Sequence, residues 1–264
     1  MSPAVAAFLG VVQGLSEFLP ISSTAHLILL PWFFGLKDPG QTFDVALHLG
    51  TLVAVVGYFW RDWVDLLRRP GRMLVLILLA CIPAAVLGKL FEDRVEQLTY
   101  PSQHAWAPLL MIGGLVLAGV LLYAADRWCA GKREEGSLKT WEALGVGFAQ
   151  AVALIPGVSR SGATISAGLA FGLTRGAAAR FSFLLSTPII AGAVGLKAVR
   201  VAQHGIPAGE TAAFLIGIAA SAISGYLAIH FLLGYVKKSS LAVFVWYRFA
   251  FAALTAAIWA FRNW

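Results

Sequence analysis

The sequence has little of the charge that a water-soluble domain needs. Only 12% of its 264 residues are charged, against about 25% in an average soluble domain. Hydrophobic residues make up 59%, and the mean hydropathy is +0.79. Such a composition cannot cover a globule with polar surface, so lipid must solvate much of the chain. No stretch is long and polar enough for a soluble domain, which predicts a single membrane domain over residues 1–264.

Other signals are scarce as well. The two cysteines, Cys81 and Cys129, provide neither a disulfide framework nor the spacing of a metal site. The N-terminus lacks the basic region and small-residue cleavage site of a secretory signal, so we expect no cleavable signal peptide. The net charge of +7 lies in short connections such as 61–72, as the positive-inside rule predicts. We therefore expect no nucleic-acid partner.

Long apolar runs are what the chain has in abundance. Six are long enough to cross a hydrocarbon core, which needs about 17–25 residues. They predict an all-α polytopic membrane protein with six transmembrane helices. The predicted spans are approximately Phe43–Trp60, Met73–Leu90, Ala107–Ala125, Phe181–Val199, Thr211–Gly234 and Leu241–Phe261.

Two further apolar segments are interrupted by polar residues. Ser2–Leu36 is broken around Pro20, and Trp141–Leu173 is broken around Pro156. Each half is too short to span a membrane. Non-helical backbone at membrane depth must lie within protein or line a polar cavity. We therefore predict two re-entrant helix–turn–helix hairpins.

The two interrupted segments also form an internal repeat. A Gly-x-x-Gln pattern precedes each break, at Gly10 and at Gly147. Each break is followed by three predicted spans, and an odd number of spans gives the two halves, about 1–125 and 141–264, opposite orientations. This is the inverted-topology repeat of many transporters. Charge bias places the connection 91–106 outside, so the first hairpin enters from the outer face and the second from the cytoplasm. The two polar breaks should meet in one site.

The second break has the features of a phosphate site. Ser159 or Ser161 can cap the small-residue helix that begins near Gly162. The free N–H groups and dipole of that helix attract an anion. Arg160 adds a planar fork suited to phosphate oxygens, and Thr164 adds a hydroxyl. Because ionisable groups are costly inside a membrane, phosphate binding is favoured over an arginine that merely reaches an interface.

The first break supplies reactive groups. Gln13 and Glu17 share a helix face, so Glu17 can ligate a divalent cation or act as a base, and Gln13 can add an oxygen ligand. If a helix resumes after the break, His26 lies on the same face as Ser22 and Ser23. Such a histidine can activate a serine or attack phosphorus itself. A lone buried histidine is more often structural, but the neighbouring carboxylate, hydroxyls and arginine favour catalysis.

A second i, i+4 pair, Asp44 and His48, begins the first span. No anion-binding element adjoins this pair in the sequence. We therefore assign it a structural hydrogen bond or a supporting role.

At these breaks the sequence resembles the undecaprenyl pyrophosphate phosphatase, or bacitracin-resistance, family. Residues 13–26 (QGLSEFLPISSTAH) and 156–164 (PGVSRSGAT) resemble its two signatures, and the likeness covers essentially the whole chain. It implies a divalent cation, Mg²⁺ or Ca²⁺, and a site open to the outer face of the bacterial inner membrane. Residue chemistry and resemblance together predict catalytic Glu17, Ser23, His26 and Arg160, with Ser22, Thr24, Ser159, Ser161, Gly162 and Thr164 binding substrate.

The sequence departs from the family pattern at one position. Many members have a glutamate where this chain has Gln13. A neutral amide cannot act as a base and is a weaker metal ligand, which leaves Glu17 as the indispensable carboxylate.

The predicted reaction is metal-assisted hydrolysis of undecaprenyl pyrophosphate to undecaprenyl phosphate and phosphate. By resemblance, this recycles the peptidoglycan lipid carrier and confers bacitracin resistance. The nucleophile is left open between Ser23 activated by His26, His26 itself, and a water held by Glu17 and metal. The lipid chain length and the oligomeric state, for which a homodimer is one option, are also left open.

A transporter or flippase of a polyprenyl phosphate lipid is the main alternative, because inverted repeats with re-entrant tips occur in transporters. The vanadium-chloroperoxidase-like lipid phosphatases are set aside, since their Lys/Arg-Pro, Ser-Gly-His and Arg/His motifs do not occur in that order. A purely structural membrane protein would leave Glu17, His26 and Arg160 unexplained.

Overall fold

The computed structural model describes residues 1–36, 40–99, 104–204 and 209–263, and this part of the chain is helical. Its only β-structure is one parallel bridge between Arg133 and Leu173. The predicted all-α class is confirmed. The helices are α1 (Pro3–Phe18), α2 (Ser23–Phe34), α3 (Gln41–Tyr58), α4 (Trp60–Arg68), α5 (Arg72–Thr99), α6 (Ala107–Ala124), α7 (Thr140–Val152), α8 (Arg160–Ala170), α9 (Arg175–His204), α10 (Thr211–Tyr235) and α11 (Ala242–Asn263).

Five of these helices, α5, α6, α9, α10 and α11, are long and apolar enough to cross a membrane. A sixth span results if α3 and α4, which are bent by 70° at their junction, count as one. Each predicted span coincides with one of these elements. The chain is therefore a multi-pass membrane protein, with five or six candidate spans among the residues that the structure describes.

Three boundaries differ from the sequence prediction. Residues 61–72, expected to be a connection, form the short helix α4 over most of their length. Helix α5 continues to Thr99, so the expected connection 91–106 is partly helical. Helix α9 begins at Arg175 rather than near Phe181. Hydropathy detects only the part of a helix that lipid surrounds, whereas helical hydrogen bonding continues into charged residues that lie beyond it.

Both interrupted segments are broken where the sequence predicted. Helix α1 ends before Pro20, and the side chain of Ser22 caps α2 by accepting from the Ala25 amide at 3.5 Å. Helix α7 ends before Pro156, and the chain then turns at Gly157, whose φ is +89°. Proline removes a backbone donor and glycine adopts positive φ without strain, so both breaks are encoded locally.

Close backbone packing holds the broken segments between the long helices. Helix α1 packs on α10, and α7 packs on α5. A Cβ added at Gly10 would lie 2.5 Å from the Gly217 carbonyl oxygen, and one added at Gly147 would lie 2.3 Å from that of Ala80. The two Gly-x-x-Gln patterns thus make equivalent contacts, since small residues let membrane helices approach closely.

Candidate active site between the two helix breaks

A cavity of about 190 Å³ lies where the two breaks meet. This volume holds several water molecules and suits a phosphate-sized group. Its walls are polar towards the breaks and apolar towards α9. The lining residues are Glu17, Ser22, Ser23, Thr24, His48, Ala153, Val158, Ser159, Arg160, Ile189, Ile190 and Ala193.

Glu17 connects the two breaks. Its carboxylate Oε1 accepts a hydrogen bond from Arg160 Nη2 at 3.1 Å. Oε2 accepts from Ser23 Oγ at 2.7 Å and from Gln13 Nε2 at 3.1 Å. The residue is only 7% exposed, so the guanidinium compensates a nearly buried negative charge. A carboxylate that already accepts the Ser23 hydroxyl bond can take that proton when the oxygen attacks.

Ser23 is the first residue of α2 and follows a strained turn. Ser22 has φ +79° and ψ +96°, and it is the only non-glycine residue with positive φ in the described part of the chain. Such conformations cost about 1–3 kcal/mol and persist where the surroundings enforce them. The turn places the Ser23 hydroxyl and the amino end of α2 at the cavity.

His26 lies behind this turn and does not line the cavity. Its Nδ1 is 2.7 Å from the Ser22 carbonyl oxygen, and its Nε2 is 2.7 Å from Tyr247 Oη. A carbonyl only accepts, so Nδ1 carries the hydrogen and the Tyr247 hydroxyl donates to Nε2. Both ring nitrogens are occupied in the neutral ring. The Ser23 hydroxyl is bound by Glu17 and not by His26.

His48 is the imidazole that faces the cavity. Its Nδ1 is 2.7 Å from the Asp44 carbonyl oxygen, which places the hydrogen on Nδ1. Its Nε2 lone pair lies 3.8 Å from Glu17 Oε2, and the side chain is 37% exposed. The hydrogen bond predicted for this pair is present, but the structure also places His48 in the cavity that Ser159 and Arg160 line. Packing of α1 on α3 brings Glu17 to His48, a contact that no sequence spacing indicates.

The second break divides its predicted phosphate residues into two groups. Ser159 and Arg160 line the cavity, as Ser22 and Thr24 do on the first break. The other three lie behind it and are buried, so their contact with substrate stays a prediction. Ser161 Oγ donates to the Leu19 carbonyl at 3.1 Å, the Gly162 amide donates to Ser159 Oγ at 3.1 Å, and Thr164 Oγ1 lies 2.6 Å from Ser182 Oγ.

Sequence reasoning missed Arg248, which lies in the middle of α11 and is fully buried. Its guanidinium donates to the carbonyls of Pro20 at 3.1 Å and Gly157 at 3.0 Å, one from each break. It also donates to Leu115 at 3.0 Å and Gly114 at 3.3 Å on α6. An arginine inside an apolar span is costly, and that signal could have identified it.

Glu17 and Gln13 are the predicted ligands of a divalent cation. Gln13 Oε1 is buried and has no hydrogen-bond partner in the described part of the chain. The described residues hold no group of three or more His, Cys, Asp or Glu side chains that could form a dedicated metal cage. Magnesium is often held by one or two carboxylates together with substrate phosphates. Glu17 lines the cavity and Gln13 is buried beside it, so a cation held by both and shared with substrate stays a prediction.

Comparison with known proteins identifies close relatives over the full length. The model of the family described as bacitracin resistance protein BacA matches residues 6–254. The chain is 46% identical over 271 residues to the undecaprenyl-diphosphatase of Moorella thermoacetica, covering 100% of both chains. It is 45% identical over 270 residues to that of Caldicellulosiruptor bescii, covering 99% of each. It is 48% identical over 256 residues to that of Pelobacter propionicus, covering 92% of each.

Proposed function

This chain belongs to the bacitracin resistance protein BacA family, and from that premise we propose that it is an undecaprenyl-diphosphatase. It hydrolyses undecaprenyl diphosphate to undecaprenyl phosphate and phosphate, which recycles the peptidoglycan lipid carrier and confers bacitracin resistance. The observation that carries the mechanism is the 2.7 Å contact of the Ser23 hydroxyl with Glu17, whose other oxygen binds Arg160.

The two broken segments are re-entrant hairpins of an inverted repeat. The equivalent packing of α1 on α10 and α7 on α5 supports this arrangement. Basic connections meet at one end of the molecule, where Arg180 bonds to Asp62, Arg72 to the Leu138 carbonyl, and Arg133 donates to the Phe171 carbonyl. The positive-inside rule makes that end cytoplasmic. The cavity then opens to the outer face of the bacterial inner membrane.

The first step is attack of Ser23 Oγ on the terminal phosphorus. A bond forms between Oγ and phosphorus, the bond to the undecaprenyl phosphate oxygen breaks, and the serine proton moves to Glu17. Arg160 and the amino ends of α2 and α8 stabilise the charge on the phosphoryl oxygens. Glu17 and Gln13 would hold a divalent cation, Mg²⁺ or Ca²⁺, which would supply positive charge against the diphosphate.

The second step is hydrolysis of the phosphoserine. A water oxygen bonds to phosphorus, the bond between phosphorus and Ser23 Oγ breaks, and Glu17 returns its proton to Oγ. The proton of the water goes to Nε2 of His48, which lines the cavity, and from there to solvent. Free phosphate and the original serine result.

The apolar wall of the cavity supports a lipid substrate. Ile189, Ile190 and Ala193 of α9 face the polar residues of the breaks across the cavity. An isoprenyl chain attached to the diphosphate would leave along this wall into the lipid, whereas a soluble diphosphate needs no such surface.

Phosphate release from undecaprenyl diphosphate tests the function directly. We expect purified protein in detergent with Mg²⁺ to release phosphate, and Ser23→Ala to lower the rate by about 10³-fold or more, because the covalent step is lost. Rapid quenching with labelled terminal phosphate should trap acid-stable phosphate on Ser23. Ser166→Ala is the matched control, since Ser166 Oγ donates to the Gly162 carbonyl outside the cavity. A wild type without phosphate release would refute the function, and a fully active Ser23→Ala would refute the nucleophile.

His48→Leu should lower kcat by about 10²-fold, the smaller end of the range for general acid–base groups. Because His48 acts on the water, the variant should accumulate phosphoenzyme while its initial burst of undecaprenyl phosphate, the product of the first step, stays close to wild type. Pre-steady-state quenching measures both quantities. His230→Leu, a change on the distant end of α10 where the ring contacts Tyr58, is the control. A variant that loses the burst instead would place His48 in the first step.

A further inference from the structure

Helix α11 contacts His26, which lies behind the strained turn that precedes Ser23. The Tyr247 hydroxyl lies 2.7 Å from His26 Nε2. Phe251, one helical turn further on, stacks on the His26 ring with centroids 4.2 Å apart and planes 4° from parallel. The stacking fixes the plane of the imidazole ring, and the hydrogen bond with Tyr247 fixes its Nε2 atom.

The Ser22 carbonyl only accepts and so sets the tautomer of His26, and the hydrogen bond that the Tyr247 hydroxyl donates to Nε2 stabilises it. With Nε2 accepting, the ring hydrogen must lie on Nδ1, which points at the Ser22 carbonyl oxygen 2.7 Å away. In the other tautomer two lone pairs would face each other at that distance. A buried pair of acceptors costs about 1–3 kcal/mol. His26 is 3% exposed, so water cannot relieve the conflict easily.

The tautomer of His26 affects the Ser22 carbonyl, and this carbonyl belongs to the residue with the strained φ of +79°. Its carbonyl oxygen accepts from the His26 amide at 3.3 Å and from Nδ1 at 2.7 Å. The side-chain bond is the shorter of the two. It fixes the orientation of the peptide that joins Ser22 to Ser23, and thereby the direction of the Ser23 hydroxyl towards Glu17.

We propose that Tyr247 is a positioning residue for the Ser23 nucleophile and acts through His26, which holds the strained Ser22 turn by its Nδ1 hydrogen bond. Neither side chain touches the reacting atoms. The inference rests on the proposed phosphatase function. It gives His26 a part in the reaction that requires no proton transfer by the imidazole.

Amide side chains can separate this role from catalysis by the imidazole. The Nδ2 of an asparagine occupies the position of the histidine Nδ1, so His26→Asn keeps a donor to the Ser22 carbonyl. A glutamine reaches instead to the position of Nε2, so His26→Gln loses that donor. We expect His26→Asn to keep at least about 10% of wild-type kcat and His26→Gln to lose about 10²-fold or more.

A double-mutant cycle tests the part played by Tyr247. Tyr247→Phe removes only the hydroxyl and should lower kcat by about fivefold or more, with KM within about twofold. The same change in the His26→Asn background should alter kcat by less than about twofold, since asparagine has no atom at the Nε2 position for the Tyr247 hydroxyl to hold. Tyr226→Phe, a half-exposed tyrosine of α10, controls for general effects of removing a phenol hydroxyl.

Each outcome of the cycle either supports or contradicts the positioning role of Tyr247. An equal loss in both backgrounds would show a merely structural tyrosine. The proposal would also be overturned by a Tyr247→Phe loss smaller than fivefold, or by a His26→Asn protein as inactive as His26→Gln. Thermal unfolding midpoints identify any variant that fails to fold. Wild-type phosphate release is measured first, so failure of the proposed function is seen before any variant is compared.

Discussion

Arg160→Ala is expected to lower kcat/KM for undecaprenyl diphosphate by about 10³-fold or more, the range measured for arginines that stabilise phosphoryl transfer. Two effects combine. The phosphoryl oxygens lose the guanidinium that lines the cavity, and Glu17 loses the cation that compensates its charge at 3.1 Å. Phosphate release under single-turnover conditions measures the chemical step. Because the arginine also helps to hold Glu17, the loss should appear mainly in kcat rather than in KM.

Arg160→Lys refines this prediction. Lysine keeps the positive charge but lacks the planar fork, so we expect an intermediate loss of about 10-fold to 10²-fold. Arg61→Ala is the control, because Arg61 is exposed at the start of α4 and lies over the Trp60 ring. An Arg160→Ala protein with more than about a tenth of wild-type activity would exclude Arg160 from transition-state stabilisation.

Arg248→Met should be the most destabilising single substitution predicted here. Methionine fills much of the volume but leaves the carbonyls of Pro20, Gly157, Gly114 and Leu115 without their shared donor. Each buried acceptor left unsatisfied costs about 1–3 kcal/mol, and partial repacking offsets some of the sum. We expect a loss of at least about 3 kcal/mol, which lowers the unfolding midpoint in detergent by about 6–12 °C.

Catalytic activity should fall with stability in this variant, because the same guanidinium holds both helix breaks. Arg262→Met is the matched control, since Arg262 lies on the same helix and also donates to two carbonyls, those of Trp32 and Phe33, but at the exposed rim. Equal midpoints for the two variants would mean that the buried carbonyls find other donors. Arg248 would then not be the link between the breaks.

The local features of the fold were readable from the sequence because local chemistry encodes them. Apolar runs have the length that a hydrocarbon core requires, so the six predicted spans coincide with α3, α5, α6, α9, α10 and α11. Pro20 and Pro156 each stand among polar residues between two apolar halves too short to span, so both breaks were found. Proline alone is not the signal, since Pro31, Pro83 and Pro188 lie inside helices that continue past them. The charged ends of helices, such as α4, were missed because hydropathy does not report on helix outside lipid.

The histidines show where the sequence reached its limit. His26 and His48 each bind the carbonyl four residues earlier through Nδ1, so local geometry makes them equivalent. They differ at Nε2. In His26 this atom accepts from the Tyr247 hydroxyl, and in His48 it faces the cavity. The sequence favoured His26 because it lies within the 13–26 motif.

The sequence by itself determined a multi-pass helical membrane protein with two polar breaks, a carboxylate and serine on one and an arginine on the other, since these follow from composition, proline placement and residue chemistry. Only the tertiary structure decided that Glu17 binds both Ser23 and Arg160, that His48 joins them, and that Arg248 ties the breaks together. Each of these contacts joins helices that are distant in sequence or separated by a break. Their partners are set by how the helices pack, which no spacing along the chain records.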